Sequence, residues 1–193
     1  MEKTVIAAAA ATLIWCSILG TAATASPESP KAVEKWIETL THKQEKVTKL
    51  HFYFHRLAGA ATTGVAIATA TTMINPNPMG FGSTVIKDDP MTVGPELSST
   101  HIGYSQGLSA TSSLEDIVLT EYFTLYFTDP TRNGSTLAIH GSNPLLHKYR
   151  EMPIVGGTGV FRLARGVATY QTYFYNATTR EACVEADLVV FHF

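Results

Sequence analysis

The sequence predicts an all-β fold, an antiparallel sandwich or barrel, on three observations. From Lys49 onward the hydrophobic period changes from 3.6 to 2, so that Leu50, Phe52 and Phe54 share one side of a strand and His51, Tyr53 and His55 the other. Turn-forming pairs recur at short intervals, at Asn75-Pro-Asn-Pro78, Asp89-Pro90, Asp129-Pro130, Asn133-Gly134 and Asn143-Pro144. The segments between them leave no room for helical crossovers, which excludes a parallel α/β sheet.

The chain opens with a processing signal. Glu2 and Lys3 precede an apolar run from Val5 through Leu19, and the small residues Ala23-Thr24-Ala25 precede Ser26. This pattern predicts a secretory signal peptide cut after Ala25, because the run is shorter than the roughly 20 apolar residues of a membrane span. Ser29-Pro30 then supplies a helix cap, and Val33, Trp36, Ile37 and Leu40 fall at helical spacing. We read residues 29–46 as a short amphipathic helix within an N-terminal extension covering 26–48, ahead of a single domain over 49–193.

After the first strand, further strands are predicted near 64–72, 82–87, 101–112, 118–128, 134–140, 149–155, 167–176 and 182–192. The strand 118–128 separates its faces most sharply. Thr120, Tyr122, Thr124, Tyr126 and Thr128 share one side, while Leu119, Phe123, Leu125 and Phe127 share the other, which only Glu121 interrupts. Hydroxyls and aromatics opposed to hydrocarbon suit a barrel with one face lining a cavity. On that reading Tyr122, Tyr126 and Tyr173 offer stacking surface to a ligand.

Composition narrows the function further. A formal net charge of −2 lacks the concentrated positive field that nucleic acid or an anionic membrane requires, so neither is an expected partner. Nine Phe, eight Tyr and two Trp against 16% charged residues favour aromatic and apolar contacts. Of the two cysteines, Cys16 leaves with the signal, so Cys183 has no partner within the mature chain. The fold must then rest on its core, for which roughly 168 residues suffice.

Several motifs resolve to structural roles. Gly103-Tyr-Ser-Gln-Gly107 matches a nucleophile elbow, but the following Leu108-Ser-Ala-Thr-Ser-Ser113 lacks the helical pattern the elbow needs, so Ser105 reads as a strand residue. Gly156-Gly-Thr-Gly159 lacks the lysine and spacing of a phosphate loop and reads as a tight turn with positive φ. The seven histidines show no ligand set with Cys or carboxylates, so no metal or other cofactor is expected. His51 and His55 share a strand side whose environment, cavity or solvent, stays open. Asp88-Asp89-Pro90 reads as a turn, and if extended would send its two carboxylates to opposite faces. Asn133-Gly-Ser135 and Asn176-Ala-Thr178 are sequons in predicted turns, making Asn133 and Asn176 expected glycosylation sites.

The stretch Arg150-Glu-Met-Pro-Ile-Val-Gly-Gly-Thr-Gly-Val-Phe-Arg-Leu-Ala-Arg-Gly166 resembles the dirigent family of plants. The same order of motifs runs through His51-Phe-Tyr-Phe-His55, Phe81-Gly82, Asp88-Asp89-Pro90, Ser98-Ser99, Gly103, Gln106-Gly107, Asn133-Gly-Ser-Thr136 and Val189-Val-Phe-His-Phe193, so the resemblance covers 49–193. It implies an eight-stranded antiparallel barrel assembled as a homotrimer, secreted to the apoplast. The implied role is auxiliary rather than enzymatic. A separate laccase or peroxidase makes phenoxy radicals from monolignols such as coniferyl alcohol, and the barrel holds two so that one coupling geometry prevails on the way to lignans. Because radical recombination has little barrier, orientation is what such a protein supplies.

In lignan-forming members pocket acids assist closure of a quinone methide, and here the pattern departs. By resemblance Arg56 and Asn143 stand where those acids lie, Ser109 replaces a pocket Tyr, Tyr104 replaces an Arg, and Arg150 is retained. Neither a guanidinium nor an amide exchanges protons near neutral pH as a carboxylate does. Two other roles follow from the resemblance: a dehydrating cyclase like the pterocarpan-forming relatives, which close an isoflavanol ring with no oxidase, and a non-catalytic cell-wall or defence protein.

Overall fold

The computed structural model describes residues 29–68 and 80–193. The expected signal peptide and the Asn75–Pro78 turn lie outside the described residues. Helix α1, Pro30–Glu38, starts where the sequence sets its cap: Ser29 Oγ accepts from the Ala32 amide at 3.3 Å and Pro30 takes the first helical position. It is shorter than the expected 29–46. The chain tightens into a 3₁₀ turn at Thr39–His42 and is already strand at Lys46. No residue of α1 is buried, which leaves a nine-residue helix little packing to extend it. Its one aromatic, Trp36, lies between the Lys43 ammonium and the Arg162 guanidinium, 5.0 and 4.5 Å from the ring centre.

Nine antiparallel strands follow among the described residues: β1 Lys46–Arg56, β2 Gly64–Ala68, β3 Thr84–Thr92, β4 His101–Thr111, β5 Val118–Phe127, β6 Thr136–Pro144, β7 Arg150–Thr158, β8 Arg165–Tyr175 and β9 Ala182–His192. Eight of them close a barrel in the order β1-β9-β8-β7-β6-β5-β4-β3, with β3 returning to β1 through Tyr53 opposite Thr92 and Phe54 opposite Met91. Strand β2 stands outside the ring on the first half of β3, from Gly64 opposite Lys87. The barrel alternative is therefore the one realised.

Two strands run further than their turn signals suggested. Strand β3 continues through Asp88-Asp89-Pro90 instead of turning there. Its β2 partner stops at Lys87 and its β1 partner begins at Met91, so Pro90 falls in the gap between them, where a missing ladder donor costs little. Strand β6 likewise runs through Asn143-Pro144, and the turn follows at 145–149. The glycine segment 156–159 splits the same way. Gly156 and Gly157 stay in β7, and only Gly159, at φ +62°, makes the expected left-handed turn.

Hydrocarbon fills one end of the barrel. Phe52, Met91, Leu125, Phe127, Leu137, Ile154, Phe161, Leu188 and Val190 are buried there, with the Phe127 and Phe161 rings 5.5 Å apart. The wall tolerates large rings because β4 carries glycine where β5 comes close. A Cβ on Gly107 would overlap the Tyr122 carbonyl oxygen and lie 2.6 Å from Phe123 Cα. Gly107→Ala is accordingly expected to cost about 3 kcal/mol through overpacking, measured as a lowered midpoint in chemical denaturation with an unchanged slope.

Candidate functional site

The other end of the barrel interior is charged. Arg56 on β1, Lys87 and Asp89 on β3, Ser109 on β4, Glu121 on β5, Asn143 on β6 and Arg150 on β7 all sit at one end of their strands and on the inward side, and all but Arg56 are buried. Alternation explains the placement: each keeps the strand parity of core neighbours such as Phe54, Met91, Phe123, Ile139 and Met152. A ring of charge thus caps a column of hydrocarbon.

Glu121 is the hub. Lys87 Nζ donates to its Oε2 at 2.6 Å, Ser109 Oγ donates to the same oxygen at 2.5 Å, and Asn143 Nδ2 donates to Oε1 at 3.0 Å. Burial works to raise the Glu121 pKa, but the Lys87 charge and these three hydrogen bonds outweigh it and hold the carboxyl below its ordinary value. Lys87 also lies 4.4 Å above the Phe123 ring centre. A second pair sits beside the first. Arg56 donates to both carboxylate oxygens of Asp89, at 2.9 and 3.1 Å, and Thr63 Oγ1 adds a third bond at 2.5 Å.

Arg150 has no such partner. It is 3% exposed, its Nη1 donates to Thr172 Oγ1 at 2.8 Å and to the Leu145 carbonyl at 3.4 Å, and its Nε has no acceptor among the described residues. Burial pulls its pKa down, while the Glu121 charge pulls it up. Directly across the β7–β8 ladder stands Tyr170, 1% exposed, with an unpartnered hydroxyl. Burial, reinforced by the Glu121 charge, pushes that phenol well above its ordinary pKa. The Tyr170 ring meets those of Phe54 and Phe123 edge to face at 5.9 and 6.2 Å, the two Phe rings lie tilted at 6.5 Å, and the three form the aromatic floor of this end. The arrangement offers donors to an oxygen and a flat apolar surface to a ring.

The sequence-derived site residues divide between the two faces. Arg150, Asn143, Ser109 and Arg56 come together in the polar end. Tyr122 and Tyr126 do not: they lie on the outer face of β5, opposite to expectation, and Tyr122 stacks on His140 with ring centres 3.9 Å apart. The hydrocarbon side of that strand, with Glu121, is the one turned inward. Eight strands enclose too little space for two rows of rings, and apolar residues gain most from burial. Tyr104, opposite Tyr126 in the ladder, and Tyr173, packed on Tyr53 at 5.6 Å, also stand on the outer face. Asn133 is exposed in its turn, and Asn176 caps its own by accepting from the Thr178 and Thr179 amides.

Sequence reasoning missed Lys87, Glu121 and Tyr170. Glu121 left a signal, a lone charge in the phase of an apolar strand face; Lys87, which shares its face with Asp89, and Tyr170 left none. The outer-face histidines are also settled. His55 is buried with Nε2 2.7 Å from Thr92 Oγ1, and His51 sits 2.8 Å from Asp187, with Glu185 close by, so that carboxylates far off in sequence approach it.

Comparison with known proteins agrees with this geometry. The family described as Dirigent-like protein matches residues 47–191. The chain belongs to the dirigent family. Dirigent protein 21 of Arabidopsis thaliana is 43% identical over 78% of this chain and 80% of its own length. Pterocarpan synthase 1 of Glycyrrhiza echinata is 41% identical over 80% and 82%. The solved structure of a pterocarpan synthase dirigent protein superposes with a TM-score of 0.72 at 42% identity, covering 78% of this chain and 87% of that one. The dirigent barrel here carries two carboxylates inside, Asp89 and Glu121, so it is not stripped of acids by Arg56 and Asn143.

Two outcomes test the charged end. Lys87→Met leaves Glu121 buried and unpaired and is expected to cost about 3–5 kcal/mol, whereas Lys87→Met with Glu121→Leu recovers most of it, read by thermal unfolding. The pH dependence has a fixed sign. With a folded pKa held below the unfolded 4.5, the Glu121 carboxylate stabilises the fold fully above that pH and loses the contribution as pH falls through the lower folded value. Glu121→Gln is expected to flatten the acid limb of the melting temperature against pH.

Proposed function

We propose that the polar end of the barrel holds a phenolic quinone methide and directs its ring closure. The observation that carries this reading is Arg150, a buried cation with no carboxylate contact among the described residues, beside the Tyr170 hydroxyl, likewise unpartnered among them, and a floor of three rings. A phenolic precursor loses a benzylic hydroxyl, which departs with the phenol proton as water, and the ring oxygen becomes the quinone methide carbonyl. An internal hydroxyl then adds to the methide carbon, its proton returns to that oxygen, and the phenol is restored. The net change is loss of one water with no oxidant. Charge gathers on the phenol oxygen before the hydroxyl leaves and again as the ring closes, and a fixed guanidinium stabilises it there. The names of the pterocarpan synthase relatives support this dehydrating cyclisation.

The second reading is stereo-directed coupling of phenoxy radicals made by a separate laccase or peroxidase from a monolignol such as coniferyl alcohol. Relatives named dirigent proteins and the flat apolar floor favour it. Both readings take the mature protein as secreted to the apoplast after loss of 1–25, glycosylated at Asn133 and Asn176, and assembled as a homotrimer. For the last, the outer row Val65, Ile86, Leu108 and Tyr122, in register across β2 to β5, supplies apolar surface.

The purified protein is to be incubated with a hydroxyisoflavanol alone and, separately, with coniferyl alcohol plus laccase. Cyclised product in the first arm, lowered about 10- to 100-fold in kcat/KM by Arg150→Gln, is the expected result. An enantiomeric excess confined to the second arm transfers the assignment to coupling. Neither outcome, with Arg150→Gln also silent, leaves the non-catalytic wall or defence role.

A further inference from the structure

Five charged side chains face one another inside this end of the barrel, and they do not cancel. Arg56, Lys87 and Arg150 are basic and Asp89 and Glu121 acidic, three against two among the described residues at this end. Each carboxylate already accepts three hydrogen bonds, with both oxygens engaged. Asp89 is held by the Arg56 fork and by Thr63, and Glu121 by Lys87, Ser109 and Asn143. Neither accepts a hydrogen bond from Arg150, whose acceptors are a hydroxyl and a carbonyl. A guanidinium nine-tenths buried without a counter-ion is costly, and so is a buried donor nitrogen without an acceptor. Both costs fall if the occupant of the site brings the negative charge.

We infer that the site takes its aromatic guest as an oxyanion, a phenolate or an aryl carboxylate, with Arg150 as the counter-ion. The two orphan donors here, Arg150 Nε and the Tyr170 hydroxyl, call for an acceptor, while Asn143 Oδ1, also without a partner among the described residues, is open to a protonated second hydroxyl of the guest. Tyr170, from the next strand, brings a hydroxyl that burial keeps protonated and therefore a donor, and the Lys87 charge is taken up by Glu121. Glu121 and Asp89 oppose an anion, but each is neutralised by a cation in direct contact. The sum leaves one positive charge for the guest. Thr172 beside Arg150 is exposed, so the guanidinium sits just inside the mouth, where a ring entering from solvent leads with its oxygen.

This deepens the functional reading, on which it rests: a site that ionises a bound phenol prepares it to expel a benzylic hydroxyl. It also predicts a binding preference that is independent of turnover. The probes are 4-nitrophenol, whose ionisation is visible by absorbance, and 4-nitroanisole, its neutral ether. The full-length mature protein is expected to bind the nitrophenolate about tenfold more tightly than the ether and to lower the ionisation midpoint of the bound phenol by about one pH unit. Arg150→Gln abolishes the shift and Arg150→Lys restores part of it, while Tyr122→Ala on the outer face leaves it unchanged. Two further probes, 4-hydroxycinnamate and its methyl ester, distinguish the sources of the charge. Tighter binding of the free acid at neutral pH assigns the anion to a carboxylate, and equal binding assigns it to the phenol oxygen.

Equal affinity for the nitrophenol and its ether at all pH values, a midpoint that does not move or that rises, or a shift retained in Arg150→Gln overturns the inference. Absence of binding by every probe overturns it too. Should Arg150→Gln fail to fold, as judged by circular dichroism, the wild-type titration decides alone. Product from a hydroxyisoflavanol with charge-blind binding sinks this inference and spares the cyclase reading. Anion-selective binding with no product does the reverse.

Discussion

The buried contact between Lys87 and Glu121 is the constraint around which this barrel end is arranged. Removing two charges from water is expensive, and a bare pair seldom repays it. Here the pair is embedded: Ser109 donates to one carboxylate oxygen and Asn143 to the other, and the Phe123 ring lies under the ammonium. Four strands, β3 to β6, contribute one group each. Such a network is satisfied only when the strands keep their register, so it specifies the barrel as well as the site.

The same network decides what chemistry remains. A carboxylate held below its ordinary pKa by a cation and three donors is a poor base, and Asp89 in the fork of Arg56 is similarly occupied. The reactive surplus is positive and sits on Arg150. Arg56 and Asn143, which by resemblance stand where lignan-forming relatives carry acids, each have a structural partner here. Arg56 engages Asp89, and Asn143 donates to Glu121, so both acids inside this end are already paired.

Dirigent barrels are read most easily through their glycine-rich and His-rich motifs, yet those motifs mark the scaffold. Gly159 turns the chain at φ +62°, Gly107 makes room for β5, and His51 and His55 face outward. Of the sequons, Asn133 lies in the β5–β6 turn at the hydrocarbon end, and Asn176 in the β8–β9 turn at the charged end. The charged end is built instead from charges set into apolar strand faces.

Sequence alone determined the all-β class, the strand alternation and the capped helix start at Ser29-Pro30, because period, turn chemistry and caps are local properties written in consecutive residues. It also carried the family, and with it the eight-stranded barrel and the position of Arg150. Which side of each strand faces inward was decided only by closure. Tyr122 and Tyr126 share a face as the alternation required, but the enclosed volume admitted the Phe123 and Leu125 side instead. Asp88-Asp89-Pro90 read locally as a turn and became strand because two neighbours leave a gap at Pro90. The meeting of Lys87 with Glu121, and of Arg56 with Asp89, joins residues 33 or more apart. Only the folded chain could determine which charges are paired and which one is left over, since that balance is a sum over strands that no single segment contains.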